Sequence, residues 1–155
     1  MEMETFAQQV EALRPRLYRI AFCYLGSEAM ALDVLDEAVY RGLRSIRKLR
    51  SPEYFDTWIT RILLNECQRE YKRRQRFCPI EDAFALSAED FDHLPLQEAI
   101  RRLPKELREI VILRYFSGYT QAETAEALDI PQGTVATRQR RALQLLRLEL
   151  EEVNV

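Results

Sequence analysis

Apolar residues recur every three or four positions at the start of the chain. Phe6, Val10, Leu13, Leu17, Ala21 and Tyr24 fall on one helical face that ends near Gly26. Pro15 lies inside this pattern, so the helix begins there or is bent there. Ser27 can cap a second helix running to about Ile46, with Ala31, Leu35, Ala38 and Ile46 facing inward. A basic connector over 44–50 leads into 51–55, which reads as a loop or one short helical turn. Trp58, Ile59, Ile62 and Leu63 open a third helix that extends to about Arg76. Periodicity then lapses over 77–93, where Glu81, Asp82, Glu89, Asp90 and Asp92 gather, marking a linker.

Beyond the linker the helical period returns in shorter pieces. Leu96, Ala99, Ile100 and Leu103 predict one helix, and Pro104 suits the first turn of the next, whose apolar residues are Leu107, Ile110 and Val111. Gly118 closes it. Thr120 and Glu123 have the spacing of a capping box, and Ala122, Ala125 and Leu128 put small apolar groups on one face. Asp129, Ile130 and Pro131 stop that helix, because proline disfavours helical geometry in the residue before it. The last helix carries Gly133 and Thr134 in its first turn and Val135, Ala142 and Leu146 along its inner stripe. Glu149, Glu151 and Glu152 oppose the dipole at its C-terminal end, so the tail is expected to fray. The expected fold is all-α: a domain over 1–76, an acidic linker over 77–93, and a second domain over 94–155 containing a helix-turn-helix.

Two short helices joined by a tight turn present the second helix to a DNA major groove. On that helix Thr134, Thr137, Arg138 and Arg141 share a face, and hydroxyls and guanidinium groups suit base edges and phosphates. A generic helical hairpin with a solvated basic side would show part of this pattern; the agreement of cap, turn and polarity favours the DNA reader. In the first half, the run over 69–76 is the most basic segment. Together with Tyr54, Phe55, Trp58 and Tyr71 it suits single-stranded DNA, where cations track the backbone and bases stack on rings; the alternative puts Trp58 and Phe55 in the core, and for Trp58 the core is favoured. Asp33, Asp36 and Glu37 also share a face, either as solvated carboxylates or as a dock for a basic partner, and spacing does not choose between these.

Composition narrows the function. Only 4 glycines and 6 prolines among 155 residues favour helices over strands. A net charge of -2 argues against a protein that grips DNA strongly alone, since nonspecific affinity comes mainly from phosphate neutralisation. A reader completed by a partner fits better, because tethering raises effective concentration. Cys23, Cys67 and Cys78 show no paired spacing, no apolar run approaches the roughly 20 residues of a membrane span, and the acidic start lacks the order of a signal peptide. These features place the chain in the cytoplasm and not embedded in a membrane. One histidine, His93, no glycine-rich phosphate loop and no metal-ligand spacing argue against an enzyme, a cofactor, a metal or a small-molecule substrate. Cys67, Cys78 and His93 lack the close pairing of a zinc site. An ordinary homodimeric helix-turn-helix regulator is the competing reading, and it leaves the first half without a task.

Three segments, in order, resemble the extracytoplasmic-function group of bacterial RNA polymerase sigma factors. The segment 26–44, GSEAMALDVLDEAVYRGLR, is similar to that family's polymerase-binding helix. The segment 58–76, WITRILLNECQREYKRRQR, is similar to the helix that opens and reads the downstream promoter element. The segment 103–141, with the run IPQGTVATRQRRA at its end, is similar to the region that reads the upstream element. The resemblance implies a non-catalytic subunit that binds core RNA polymerase and directs it to promoter DNA. It implies polymerase contacts at Asp33, Asp36 and Glu37. Downstream-element contacts are implied at Tyr54, Phe55, Arg61, Asn65, Lys72, Arg73, Arg74 and Arg76, with Asn65 beside a flipped base. Upstream-element contacts are implied at Arg114, Thr134, Thr137, Arg138, Arg140 and Arg141. An anti-sigma factor, membrane-bound in many relatives, is a further implied partner. Asp36, Arg69 and Ala136 depart from the family's usual glutamine, aspartate and basic residue.

Overall fold

The computed structural model describes residues 1–77 and 94–153, with side chains described except at 75–77, 94, 95, 97 and 148–153. Among the described residues there are helices and no strands, in two compact units, 1–77 and 78–155.

The first unit is a three-helix bundle of α1 (Met3–Leu25), α2 (Glu28–Arg44) and α3 (Phe55–Phe77), in which each helix packs on the other two. α1 begins at Met3, twelve residues ahead of Pro15, and runs through it. Pro15 is exposed, where water can serve the Glu11 carbonyl that proline leaves without a donor. Gly26 ends α1 in the left-handed conformation (φ 72°) that glycine adopts without Cβ strain. Ser27 then caps α2, its hydroxyl accepting from the Met30 amide. α2 stops at Arg44, so Ile46 falls in a half-buried 3-10 turn over Ile46–Lys48 and not in the expected helix.

Leu17, Ile20, Tyr24, Leu35, Phe55, Ile59 and Leu63 are the large side chains fully enclosed in this bundle. Phe55 meets Phe6 edge to face, with ring centroids 5.6 Å apart and planes at 86°. Gly42 lets α2 approach α3 closely: a Cβ there would stand 2.6 Å from Ile59 Cδ1. The buried Tyr24 hydroxyl donates to Gln68 Oε1, which fixes the lower half of α3 against α1.

The second unit contains α4 (Leu94–Arg102), α5 (Lys105–Val111), α6 (Gln121–Leu128) and α7 (Gln132–Val153), with a π-helical turn over Ile112–Phe116 after α5. Ala99, Ile100 and Leu103 are buried as the periodicity predicts, whereas Leu96 is exposed. Pro104 precedes α5 and accepts from the Leu107 and Arg108 amides. Arg108 is buried, and its guanidinium donates to the carbonyls of Arg101 (2.8 Å) and Leu103 (2.9 Å), placing positive charge at the negative end of α4.

The helix-turn-helix is built as the sequence requires. The Thr120 hydroxyl accepts from the Glu123 amide, and the Glu123 carboxylate accepts from the Thr120 amide, both at 3.1 Å. Asp129 closes α6 at φ 58°, and the Pro131 carbonyl accepts the Thr134 and Val135 amides that start α7. Ile110, Ala125 and Val135 form the core beneath this turn, with Leu128 and Ile130 packed against it. Ala122 is exposed; Thr124 and Ala127 take the buried positions beside Ala125, so the inward face of α6 is turned from the expected one. α7 remains helical through the acidic stretch to Val153 instead of fraying before it.

Thr120→Ala removes one half of the reciprocal cap. It should lower the opening free energy of the α6 amides by about 1 kcal/mol, measured by hydrogen exchange, while Thr120→Ser leaves it nearly unchanged.

Candidate nucleic-acid and partner interfaces

The carboxylates Asp33, Asp36 and Glu37 of α2 are all exposed and lie along one side of the first unit. Asp36 is 3.6 Å from Arg14, and Glu37 accepts from Arg41 Nε at 3.0 Å. Arg41 is also 2.9 Å from Glu66 of α3, a carboxylate only 7% exposed, and Arg69 reaches the same Glu66 at 3.4 Å. Asp33, Glu37, Glu66, Arg69, Glu70 and Arg73 line one shallow cleft between α2 and α3. The acidic face is therefore backed by arginines of its own chain. The exposed pairs Arg14–Asp36 and Arg41–Glu37 contribute about 0–1 kcal/mol each, whereas the Arg41–Glu66 contact engages a buried carboxylate.

At the lower end of α3 the basic run carries one acidic partner of its own, Glu70. Arg73 is held by Glu70 through two hydrogen bonds of 2.7 and 3.1 Å, and these hold the Glu70 carboxyl below its usual range. Lys72 and Arg74 are exposed. The Arg76 side chain lies outside the described residues.

At the upper end, Tyr54 is 49% exposed on a 3-10 turn over Pro52–Tyr54. Phe55 is 2% exposed and wedged between Phe6 and Trp58, so the expected base-stacking role does not suit it. Its ring braces the Tyr54 turn from inside. Trp58 is half-buried, and Arg61 and Asn65 are exposed at i+3 and i+7 from it, giving one line along α3 that starts at Tyr54.

In the second unit the outward line of α7 is opposite its buried stripe of Val135, Ala142 and Leu146. Gln132, Gly133, Thr137, Arg140 and Arg141 are exposed, whereas Thr134 and Arg138 are half-buried on its flank. Thr137 donates to the Gly133 carbonyl at 3.0 Å, which occupies its hydroxyl proton within the helix. Arg138 lies near Glu109, a buried carboxylate of α5 whose pKa is raised, first by burial and less by the nearby Glu106. Arg114, expected at the DNA, is half-buried in a clamp: Nε donates to Gln139 Oε1 at 3.0 Å and Nη1 to the Tyr119 carbonyl at 2.5 Å.

Sequence reading missed Gly133 on the outward line of α7, Gln139 as a support within the second unit, and Glu66 as a support of the acidic face in the first. Gly133 could have been found by placing α7 on a helical wheel against Val135. Arg41, which meets Glu66, and Arg114, which meets Gln139, are distant from them in sequence, so no local signal revealed those two pairs.

Among the described residues no group of three or more His, Cys, Asp or Glu side chains could hold a metal ion; Cys78 and His93 lie outside them. Burial pushes the Cys23 thiol up to about 11, and Cys67 is buried. No described helix is long and apolar enough to cross a membrane.

Residues 9–77 match the family profile for sigma-70 region 2, and residues 93–146 match that for sigma-70 region 4. The RNA polymerase sigma factor SigV of Bacillus subtilis is 33% identical over 138 residues, covering 86% of this chain and 83% of that protein. The ECF RNA polymerase sigma-E factor of Escherichia coli K12 is 30% identical over 134 residues, covering 74% of this chain and 70% of that one. Among solved structures, CnrH in complex with the cytosolic domain of CnrY superposes with a TM-score of 0.79 at 21% identity, over 97% of this chain and 90% of that one. The sigma factor RpoE in complex with the anti-sigma factor NepR from Bartonella quintana gives 0.74 at 21% identity, over 96% and 98%.

Glu109 favours its neutral form in the folded chain, so its contribution to stability is present below the unfolded value near 4.5 and is lost as pH rises through the raised folded value. Glu109→Gln should therefore slow hydrogen exchange of α5 amides at pH 7, and the gain should vanish below about pH 4.

Proposed function

Because the chain belongs to the sigma-70 family, in its extracytoplasmic-function branch, and is a sigma factor that directs transcription initiation with RNA polymerase, we propose a division of labour between its two units. The first unit, 1–76, docks on core polymerase through Asp33, Asp36 and Glu37. It takes the downstream promoter element as a melted strand along the line of Tyr54, Arg61 and Asn65, with Lys72, Arg74 and Arg76 tracking the backbone and Arg73 held to Glu70. The segment 77–93 is the connector. The second unit, 94–155, reads the upstream element as duplex, with Thr137, Arg140 and Arg141 facing the groove and Thr134 and Arg138 at its flank. Arg114 acts mainly by holding α7 in place.

The observation that carries this reading is that one chain pairs a region 2 match with a region 4 match, in that order. A homodimeric operator-binding regulator gives the first match no role, and is not favoured. The protein acts as a non-catalytic subunit in the cytoplasm, where its polymerase is. We place an anti-sigma factor among its partners, since CnrH and RpoE, which share its fold, were each solved with a bound protein. The direct experiment is run-off transcription with core polymerase and genomic fragments: start sites that require this chain support the reading, and core polymerase indifferent to the chain overturns it.

Two substitutions separate the proposed tasks. Asn65→Ala should slow strand opening by about tenfold or more, through a lost hydrogen bond to an extruded base, while closed-complex formation changes little. Permanganate footprinting against gel-shift kinetics checks the split, and equal losses in both steps contradict it. Asp33→Lys breaks no ion pair among the described residues and should weaken core polymerase binding by about 1 kcal/mol, more at low salt, as read by fluorescence anisotropy.

A further inference from the structure

Arg114 can only donate hydrogen bonds, and this fixes the orientation of the side chains around it. Its Nε–H reaches Gln139, so the oxygen of that amide must face the guanidinium and the NH2 must face the other way. The NH2 lies 2.9 Å from the Tyr115 hydroxyl. The phenol therefore accepts at that contact, and its own proton points elsewhere. Among the described residues no acceptor takes that proton, and Tyr115 is 49% exposed.

The position of this free donor is set by α7. Gln139 stands one turn from Val135 and Ala142 of the buried stripe, and one turn from Ala136 and Leu143 on the more exposed side. It lies on the flank of α7 opposite Arg138, between the buried stripe and Ala136 and Leu143. When a helix lies in a major groove, its borders face the two phosphate backbones, whereas its outward line faces base edges.

We propose that Tyr115 donates a hydrogen bond from its hydroxyl to a phosphate oxygen of duplex DNA, with Gln139 and Arg114 as positioning residues that fix the direction of that donation. This rests on the reading of α7 as a major-groove helix. A neutral hydroxyl adds affinity at every sequence and displaces no counterion, which separates it from the arginines on the outward line. The amide matters as much as the phenol. A carboxylate at 139 could only accept, so it would bond both Arg114 and Tyr115 and turn the phenolic proton away from DNA.

The test uses holoenzyme assembled from core polymerase and the full chain. The probe is a duplex promoter fragment recovered by run-off transcription, titrated over a salt series. Tyr115→Phe should weaken binding about tenfold with an unchanged salt slope, as expected for one hydrogen bond to a charged acceptor. Arg140→Ala should weaken binding and reduce the slope by about 1. In a Gln139→Glu background, Tyr115→Phe should change binding by less than about twofold, because the phenolic proton is already diverted. Exchange of α7 amides should be unaffected by Tyr115→Phe. An unchanged affinity for Tyr115→Phe, or the same loss in both backgrounds, overturns the proposal. If Arg140→Ala is silent as well, the major-groove reading falls with it; if Tyr115→Phe alone is silent, only the phosphate contact falls.

Discussion

Arg41 is 3.0 Å from Glu37 and 2.9 Å from Glu66, Arg73 is doubly bonded to Glu70, and Arg114 is spent on Gln139 and Tyr119. Cations that a strong DNA binder would aim at phosphates are here satisfied by their own chain. With a net charge of -2, little positive potential remains to condense on a duplex. This internal neutralisation sets the terms for the rest of the molecule. Contacts with DNA must be few, well aimed and presented by something that supplies proximity.

The helices serve that aim. In the first unit, Gly42 draws α2 and α3 together, so the acidic side of one and the Tyr54–Asn65 line of the other belong to a single rigid bundle. In the second, the Asp129 turn and the core of Ile110, Ala125 and Val135 fix where α7 starts. The Arg114 clamp fixes which way α7 faces. Each unit thus spends its buried hydrogen bonds on orientation.

Much of this was legible in the sequence, for local reasons. Ser27 and Thr120 cap helices within three residues of themselves, Gly26 and Gly118 take left-handed backbone, and the stripe of Val135, Ala142 and Leu146 is a matter of helical period. What was not legible depends on distance. Tyr54 and Phe55 are adjacent aromatics, and only the position of Phe6 decides which one is buried. Pro15 marks either a start or a bend in the sequence, and a proline on an exposed side lets packing on both flanks carry the helix through it. Glu66 and Arg41 are paired across two helices, and Arg114 and Gln139 across the helix-turn-helix, so nothing local in the sequence signalled the first pair and the resemblance put Arg114 at DNA.

The central claim is that neither unit holds a promoter firmly until polymerase holds both. It is tested most directly by comparing the affinity of one promoter duplex for the free chain and for the same chain bound to core polymerase, at one physiological salt concentration. Tethering by the enzyme should raise the affinity by a factor of about 10²–10⁴, with sequence preference appearing only in the bound form. Equal affinity and equal preference in the two forms would contradict it.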